Sequence, residues 1–178
     1  MDNVIAKVYL STGRVEVSDM ILCRGGLKFR CLRCASLCCR LGGPPLTQRD
    51  VDRIRKMGYD ADFFLNRTSP KRFGRISNMV GVMENRKDGS CIFLNEEDGV
   101  YECSIYEYRP ALCRLYPFYF EVVGSRSLLL KFIPCCNGLN DPAGRPIDEG
   151  FISRFLMRAI MDLLHAGGSC EIGDWESE

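Results

Sequence analysis

The stretch CLRCASLCCR, Cys31 to Arg40, sets four thiols within nine positions, in a chain of 178 residues that holds eleven cysteines. They stand at 23, 31, 34, 38, 39, 91, 103, 113, 135, 136 and 170. Nothing else in the sequence restricts the fold so strongly. Thiols at this density are paired as disulfides, gathered on inorganic ions, or buried as small apolar side chains. Eleven cannot all pair within one chain. The opening MDNVIAKVYLSTGRVEVSD has no basic start followed by an apolar run, so no secretory signal is expected. No segment offers about 18 uncharged apolar residues, so no membrane span is expected. The expectation is a reduced, cytoplasmic protein in which disulfides are rare and metal-bound thiolates are not.

A hydrophobic content of 46% with 26% charged residues can supply an ordinary core. The length suits a single domain over 1–178. The element pattern is α+β: a small cysteine-rich domain of short hairpins with a C-terminal amphipathic helix. VIAKVYL and RVEVS read as a hairpin turning at Ser11-Thr12-Gly13. LTQRDVDRIRKMG reads as a helix, with Thr47 as its cap, Asp50 in the capping-box position and Gly58 as its stop. Asp60 can open a short turn through ADFFLN, and RTSPKRFGR reads as a basic loop. ISNMVGVMENR reads as a strand. GSCIFLN and VYECSIY flank a loop, which would set Cys91 and Cys103 at the outer ends of a hairpin. RPALCR begins a short helical turn that Pro117 ends, and FYFEVVGSRSLLLKF turns near Gly124-Ser125. In DEGFISRFLMRAIMDLLHAGG, Ile152, Phe155, Leu156, Ala159, Ile160, Leu163 and Leu164 form one apolar stripe.

In C-x₂-C, two sulfurs reach one ion from either side of a turn, a spacing common to structural zinc and iron–sulfur sites. Cys38 and Cys39 extend Cys31 and Cys34 to C-x₂-C-x₃-C-C. Cys91 with Cys103, Cys113, and the pair Cys135-Cys136 follow. Vicinal side chains diverge, so one member of such a pair can ligate while its neighbour packs or serves a second metal. Eight thiols suffice for two tetrathiolate zinc ions or for one four-iron centre with thiols to spare. A redox dithiol at Cys31 and Cys34 is the competing chemistry, but the strand-to-helix setting of such motifs is missing.

FRCLRCASLCCR, PPLTQRDVDRI, GSCIFLNEEDGVYECSIYEYRPALCRLYPF and CCNGL, in this order, resemble the YkgJ-type cysteine-cluster family, a zinc- or iron-chelating domain. The resemblance spans 29–139, which would be the metal-binding core. It implies Cys31, Cys34, Cys38, Cys39, Cys91, Cys103 and Cys113 as ligands, with Cys135 or Cys136 as the eighth. Here three residues separate Cys34 from Cys38 where the family form has two, which leaves open which vicinal thiol faces the metal. The expected cofactor is an iron–sulfur cluster of the 4Fe-4S type, with one or two zinc ions as the alternative.

Arg109 and Arg114 flank Cys113 and are expected to support the site, through sulfur contacts or charge balance, or to pair with Glu102 or Glu107. Tyr106, Tyr108 and Tyr116 are expected to pack. His165, the only histidine, closes the last helix and is not expected to ligate. No P-loop, dinucleotide fingerprint, H-E-x-x-H or Ser-His-Asp arrangement occurs, so no catalytic residue is assigned and enzymatic activity stays open. Residues 24–75 carry thirteen Lys or Arg against four Asp or Glu, whereas 76–178 carry nine against sixteen. The basic part can balance thiolate charge or touch nucleic acid. The functional expectation is a metal-binding protein, an accessory or maturation factor acting with a protein partner. A zinc-bound structural or interaction module that docks nucleic acid or ribonucleoprotein, and an iron–sulfur electron carrier, are the alternatives.

Overall fold

The computed structural model describes residues 3–11, 16–67 and 79–164. Its elements in chain order begin with β1 (Val4–Leu10), β2 (Val17–Leu22), β3 (Lys28–Phe29) and β4 (Pro45–Thr47). Next come α1 (Gln48–Arg55), α2 (Ala61–Phe64), β5 (Leu65–Asn66) and β6 (Met79–Met83). The hairpin β7 (Leu94–Glu97) and β8 (Val100–Cys103) leads through a 3₁₀ turn at Tyr106–Tyr108 into α3 (Ala111–Leu115). After β9 (Phe118–Val122), β10 (Ser127–Phe132) and β11 (Arg145–Pro146), the chain closes with α4 (Glu149–Phe151), a π-helical turn at Ile152–Leu156 and α5 (Met157–Leu164). The fold is thus α+β, built of short antiparallel hairpins with a helical C-terminal stretch.

Two cores organise these elements. The first lies under a four-stranded antiparallel sheet in the order β2-β1-β10-β9. Ala6 pairs with Leu130 and Val8 with Leu128 across its centre. Ile5, Val8, Leu128 and Leu130 share this core with Ile152, Leu156, Ile160 and Leu163 of the helical stretch. Burying each such side chain stabilises the fold by about 1.5–3 kcal/mol. The second core gathers Leu46, Ile54, Phe64, Met83, Phe93 and Ile105 beneath the sheet β4-β6-β5 and the helix α1. There Gly81 lets two strands close, since a Cβ would stand 2.4 Å from the Asn66 carbonyl oxygen.

Local chemistry fixes the ends of α1. Thr47 accepts the Asp50 N–H at 3.2 Å, and the Asp50 carboxylate accepts the Thr47 N–H at 3.1 Å, which closes the capping box. Gly58 follows with φ +94°, the left-handed stop that the sequence indicates.

Two expectations need correction. Phe155 leaves the apolar stripe and is 46% exposed, because the π turn at 152–156 shifts the helical phase there. Cys91 does not face Cys103 across the hairpin. Cys103 pairs with Leu94, and a turn closed by Leu94 N–H on the Cys91 carbonyl (3.0 Å) folds Cys91 back beyond the ladder. The turn of the first hairpin over 12–15 and the basic loop over 68–75 lie outside the described residues, as do His165 and Cys170.

Candidate metal centre

Between the two cores lies a cavity open to solvent. Six thiols line it: Cys31, Cys34, Cys38, Cys103, Cys113 and Cys136. They come from four separate parts of the chain. The first three ride on a segment whose backbone turns sharply, with Arg33 at φ +56° and Ala35 at φ +45°. Left-handed conformations cost non-glycine residues about 1–2 kcal/mol each, and here they wrap Cys34 around the cavity. Cys103 ends β8, Cys113 sits in α3, and Cys136 lies in the turn after β10.

Cys136 is held opposite Cys31 by backbone pairing. Arg30 N–H donates to the Gly138 carbonyl at 3.0 Å, and Phe29 bridges Leu139. The approach is so close that a Cβ on Gly138 would stand 2.1 Å from the Arg30 carbonyl oxygen.

The vicinal pairs divide as their geometry requires. Cys38 lines the cavity, while Cys39 is buried behind it in the second core, with the two Sγ atoms 4.0 Å apart. Cys91 is also buried there, its N–H on the Cys39 carbonyl at 2.8 Å and its Sγ 3.2 Å from Met83 Sδ. Cys136 lines the cavity, whereas Cys135 is exposed and turned toward the Tyr116 hydroxyl at 3.8 Å. Cys23 is exposed, its thiol on the Ile21 carbonyl at 3.7 Å. The ten described cysteines are all free thiols, so no disulfide framework exists among the described residues.

These sulfurs feel one another. Cys39 donates to Cys103 and Cys38 and is itself held protonated, far above the usual thiol range. The bond from Cys39 lowers Cys38 to about 7 against the effect of burial, with help from the Arg109 charge. The same bond from Cys39 is the chief reason that Cys103 is lowered to about 7. Burial pushes Cys91 up to about 11 and raises Cys113 and Cys136 as well.

Arg109 and Arg114 point to different partners. Arg109 Nη1 points to Cys31 Sγ at 3.8 Å, its Nε donates to the Tyr106 carbonyl at 2.9 Å, and its guanidinium lies 3.8 Å from the Tyr106 ring centre. Arg33 covers the same ring at 4.0 Å and pairs with Glu107 at 3.1 Å. Arg114 turns away from the thiols to Asp162 on α5, a carboxylate that sequence reasoning did not single out. Arg53 and Arg49 join it at 3.0 and 3.4 Å. The signal for Asp162 was a lone acid within the apolar run IMDLL. Arg30 of the basic segment pairs with Asp141 at 3.1 Å, and Arg40 covers the Tyr101 ring at 5.3 Å. Part of the local positive charge is therefore spent inside the protein.

A sulfur-only donor set suits zinc and iron rather than hard cations. Among the described residues no three Cys, His, Asp or Glu side chains close on one position as an ion's ligands would. The thiols surround a space instead of a point. In chemistry, though not in closure on one position, they suit a thiolate-held centre.

A cysteine-rich α+β protein with a thiol-lined cavity is the class that fold and site define. Residues 30–141 match the CxxCxxCC family, described as a "putative zinc- or iron-chelating domain". The chain belongs to this family. It is also similar to a protein of Methanocaldococcus jannaschii described as uncharacterized, with 31% identity over 134 residues. That similarity covers 71% of this chain and 66% of the relative. No solved structure matches the chain.

Proposed function

We propose that the protein holds an iron–sulfur cluster at the cavity, through thiolates drawn from Cys31, Cys34, Cys38, Cys39, Cys91, Cys103, Cys113 and Cys136. The observation that carries this reading is the ring of six thiols around one solvent-open space. A structural zinc site is closed by its ligands. An open ring with Cys31 and Cys34 exposed suits a centre that a partner can reach. Clusters of this kind take four cysteine thiolates, and their behaviour is tuned by hydrogen bonds to sulfur. Arg109 at Cys31 is such a donor, and its charge offsets thiolate charge.

The role that suits an open donor set is an accessory one, assembling or passing on a metal centre together with a protein partner. The cytoplasm, where thiols are kept reduced, is the compartment this role requires. Among the described residues no helix is long and apolar enough to cross a membrane.

Anaerobic purification followed by metal and acid-labile sulfide analysis tests the reading. It expects about four iron and four sulfide per chain with a visible charge-transfer spectrum. Zinc alone, without sulfide, would replace it with a zinc-bound structural or interaction module.

A further inference from the structure

The two cores divide the chain unevenly. Among the described residues the second core is built from 35–105 alone, from Ala35 to Ile105. The first is built from the segments on either side, with Met79 the one residue of 35–105 that enters it. The stretch 35–105 is thus a lobe inserted into another, and the chain passes between them twice. At the first crossing Arg33 and Ala35 both adopt left-handed backbone, at φ +56° and +45°. The second is the 3₁₀ turn Tyr106–Tyr108 followed by Arg109 and Pro110, with ψ of 140° and 157°. The crossings touch each other, since Arg33 pairs with Glu107 and covers the Tyr106 ring.

Three side chains of α1 reach from the inserted lobe to the other. Asp50 accepts the Ala111 N–H at 2.9 Å, and Arg53 donates to the Arg109 carbonyl at 3.4 Å. Asp162 of α5 takes Arg53 at 3.0 Å and Arg49 at 3.4 Å. Met79 pairs with Thr47, which Asp50 also holds, so this apolar contact lies beside the same helix. Lobes joined by a small polar contact move against each other by default, whereas a large apolar interface would lock them. The cavity lies on this boundary. Cys31, Cys113 and Cys136 line it from one lobe and Cys38 and Cys103 from the other, and both crossings form part of its wall.

We propose that 35–105 swings against the rest of the chain about the two crossings, that the thiol-lined cavity is the cleft this movement widens and narrows, and that Asp162 with Arg49 and Arg53 is the latch upon it. The swing needs no metal; only what the lobes close upon rests on the proposed centre. Hinges are a few residues at element ends that absorb a change in φ and ψ, as Arg33, Ala35, Arg109 and Pro110 are placed to do. Asp50 binds one residue beyond the second crossing, where a swing displaces it least. Opening the latch takes no apolar side chain out of either core, because Ile160 and Leu163 beside Asp162 stay in the first. Thiols that surround a space instead of a point are what two parted lobes present.

The test measures distances by double electron–electron resonance in the full, reduced, metal-free chain. Nitroxides are carried on non-natural ketone side chains, which spare the thiols. Ile21 and Val100, both exposed, report across the lobes, while Leu41 with Val100 and Ile21 with Val123 report within each. The cross-lobe distribution should be at least about twice as broad as either control. Asp162→Asn should shift it to longer distances and leave the controls unchanged. Arg49→Gln, at an exposed position, should do the same in smaller measure, and serves if Asp162→Asn does not fold. A cross-lobe distribution as narrow as the controls would overturn the swing. Controls that broaden with it would overturn it too, since each lobe would then be loosening within itself. A broad distribution that neither substitution moves would remove the latch. Ferrous iron and sulfide, added anaerobically, should narrow the cross-lobe distribution. If they do not, while the metal-free breadth stands, the proposed centre fails and the swing remains.

Discussion

Asp50 accepts the backbone N–H of Ala111 at 2.9 Å, so one buried carboxylate joins the start of α1 to the start of α3. Its second oxygen takes the Thr47 N–H at 3.1 Å and the Thr47 hydroxyl at 2.8 Å. Pro110 has no N–H to offer, so Ala111 is the first donor of α3, and Asp50 satisfies it. Arg53 stands 3.5 Å from the same carboxylate and offsets its buried charge. Through this contact the second core steers the helix that carries Cys113.

Asp50→Ala removes a helix cap and strands a buried N–H. The two losses together predict a destabilisation of about 2–4 kcal/mol. Urea denaturation of the variant against wild type measures it, and a change below about 1 kcal/mol would refute the double role.

Asp162 takes Arg114 and Arg53, with Arg49 beside them. Burial alone would raise its pKa, but the bonds from Arg114 and Arg53 and their charges outweigh it and hold the carboxyl below its usual range. A depressed folded pKa gives stability that is present above the unfolded value and fades as pH falls through the folded one. Asp162→Asn should therefore cost about 1–3 kcal/mol at pH 7. The gap to wild type should narrow below about pH 4. Paired denaturation curves at pH 7 and in acid check the sign; a gap that widens in acid would contradict it.

At Gly138 the neighbour in the way of a Cβ is backbone, the Arg30 carbonyl oxygen, and cannot rotate aside. Gly138→Ala must part the backbone pairing of 28–30 with 138–140 that holds Cys136. A loss of about 1–3 kcal/mol is expected, together with weaker iron retention, read from denaturation and from metal content after gel filtration. The second readout separates this position from an ordinary overpacked site.

Cys135 and Cys136 should differ sharply although they are neighbours. Cys135→Ser and Cys23→Ser should keep full metal content, because neither thiol lines the cavity. Mass-spectrometric metal analysis of the purified variants decides it, and metal loss in Cys135→Ser would exchange the roles of the pair.

The local structure was legible where one stretch of chain determines it. Thr47, Asp50 and Gly58 mark α1 in the sequence and do so in the fold. The gathering of distant cysteines was legible only as a pattern of spacings. Spacing does not say which way a side chain points in an irregular segment, so Cys38 against Cys39 and Cys136 against Cys135 stayed undecided. The left-handed Arg33 and Ala35 carry no glycine to announce them. Asp162 meets Arg53 across 109 positions of sequence, and no local rule finds such a partner. Phe155 obeyed the helical rhythm on paper, yet a single π turn moved it to the surface.

X-ray absorption at the iron edge of the anaerobically purified chain would examine the sulfur ligation most directly. The account predicts iron whose nearest shell is sulfur with a second shell of iron. A nearest shell of nitrogen and oxygen around the iron would contradict it.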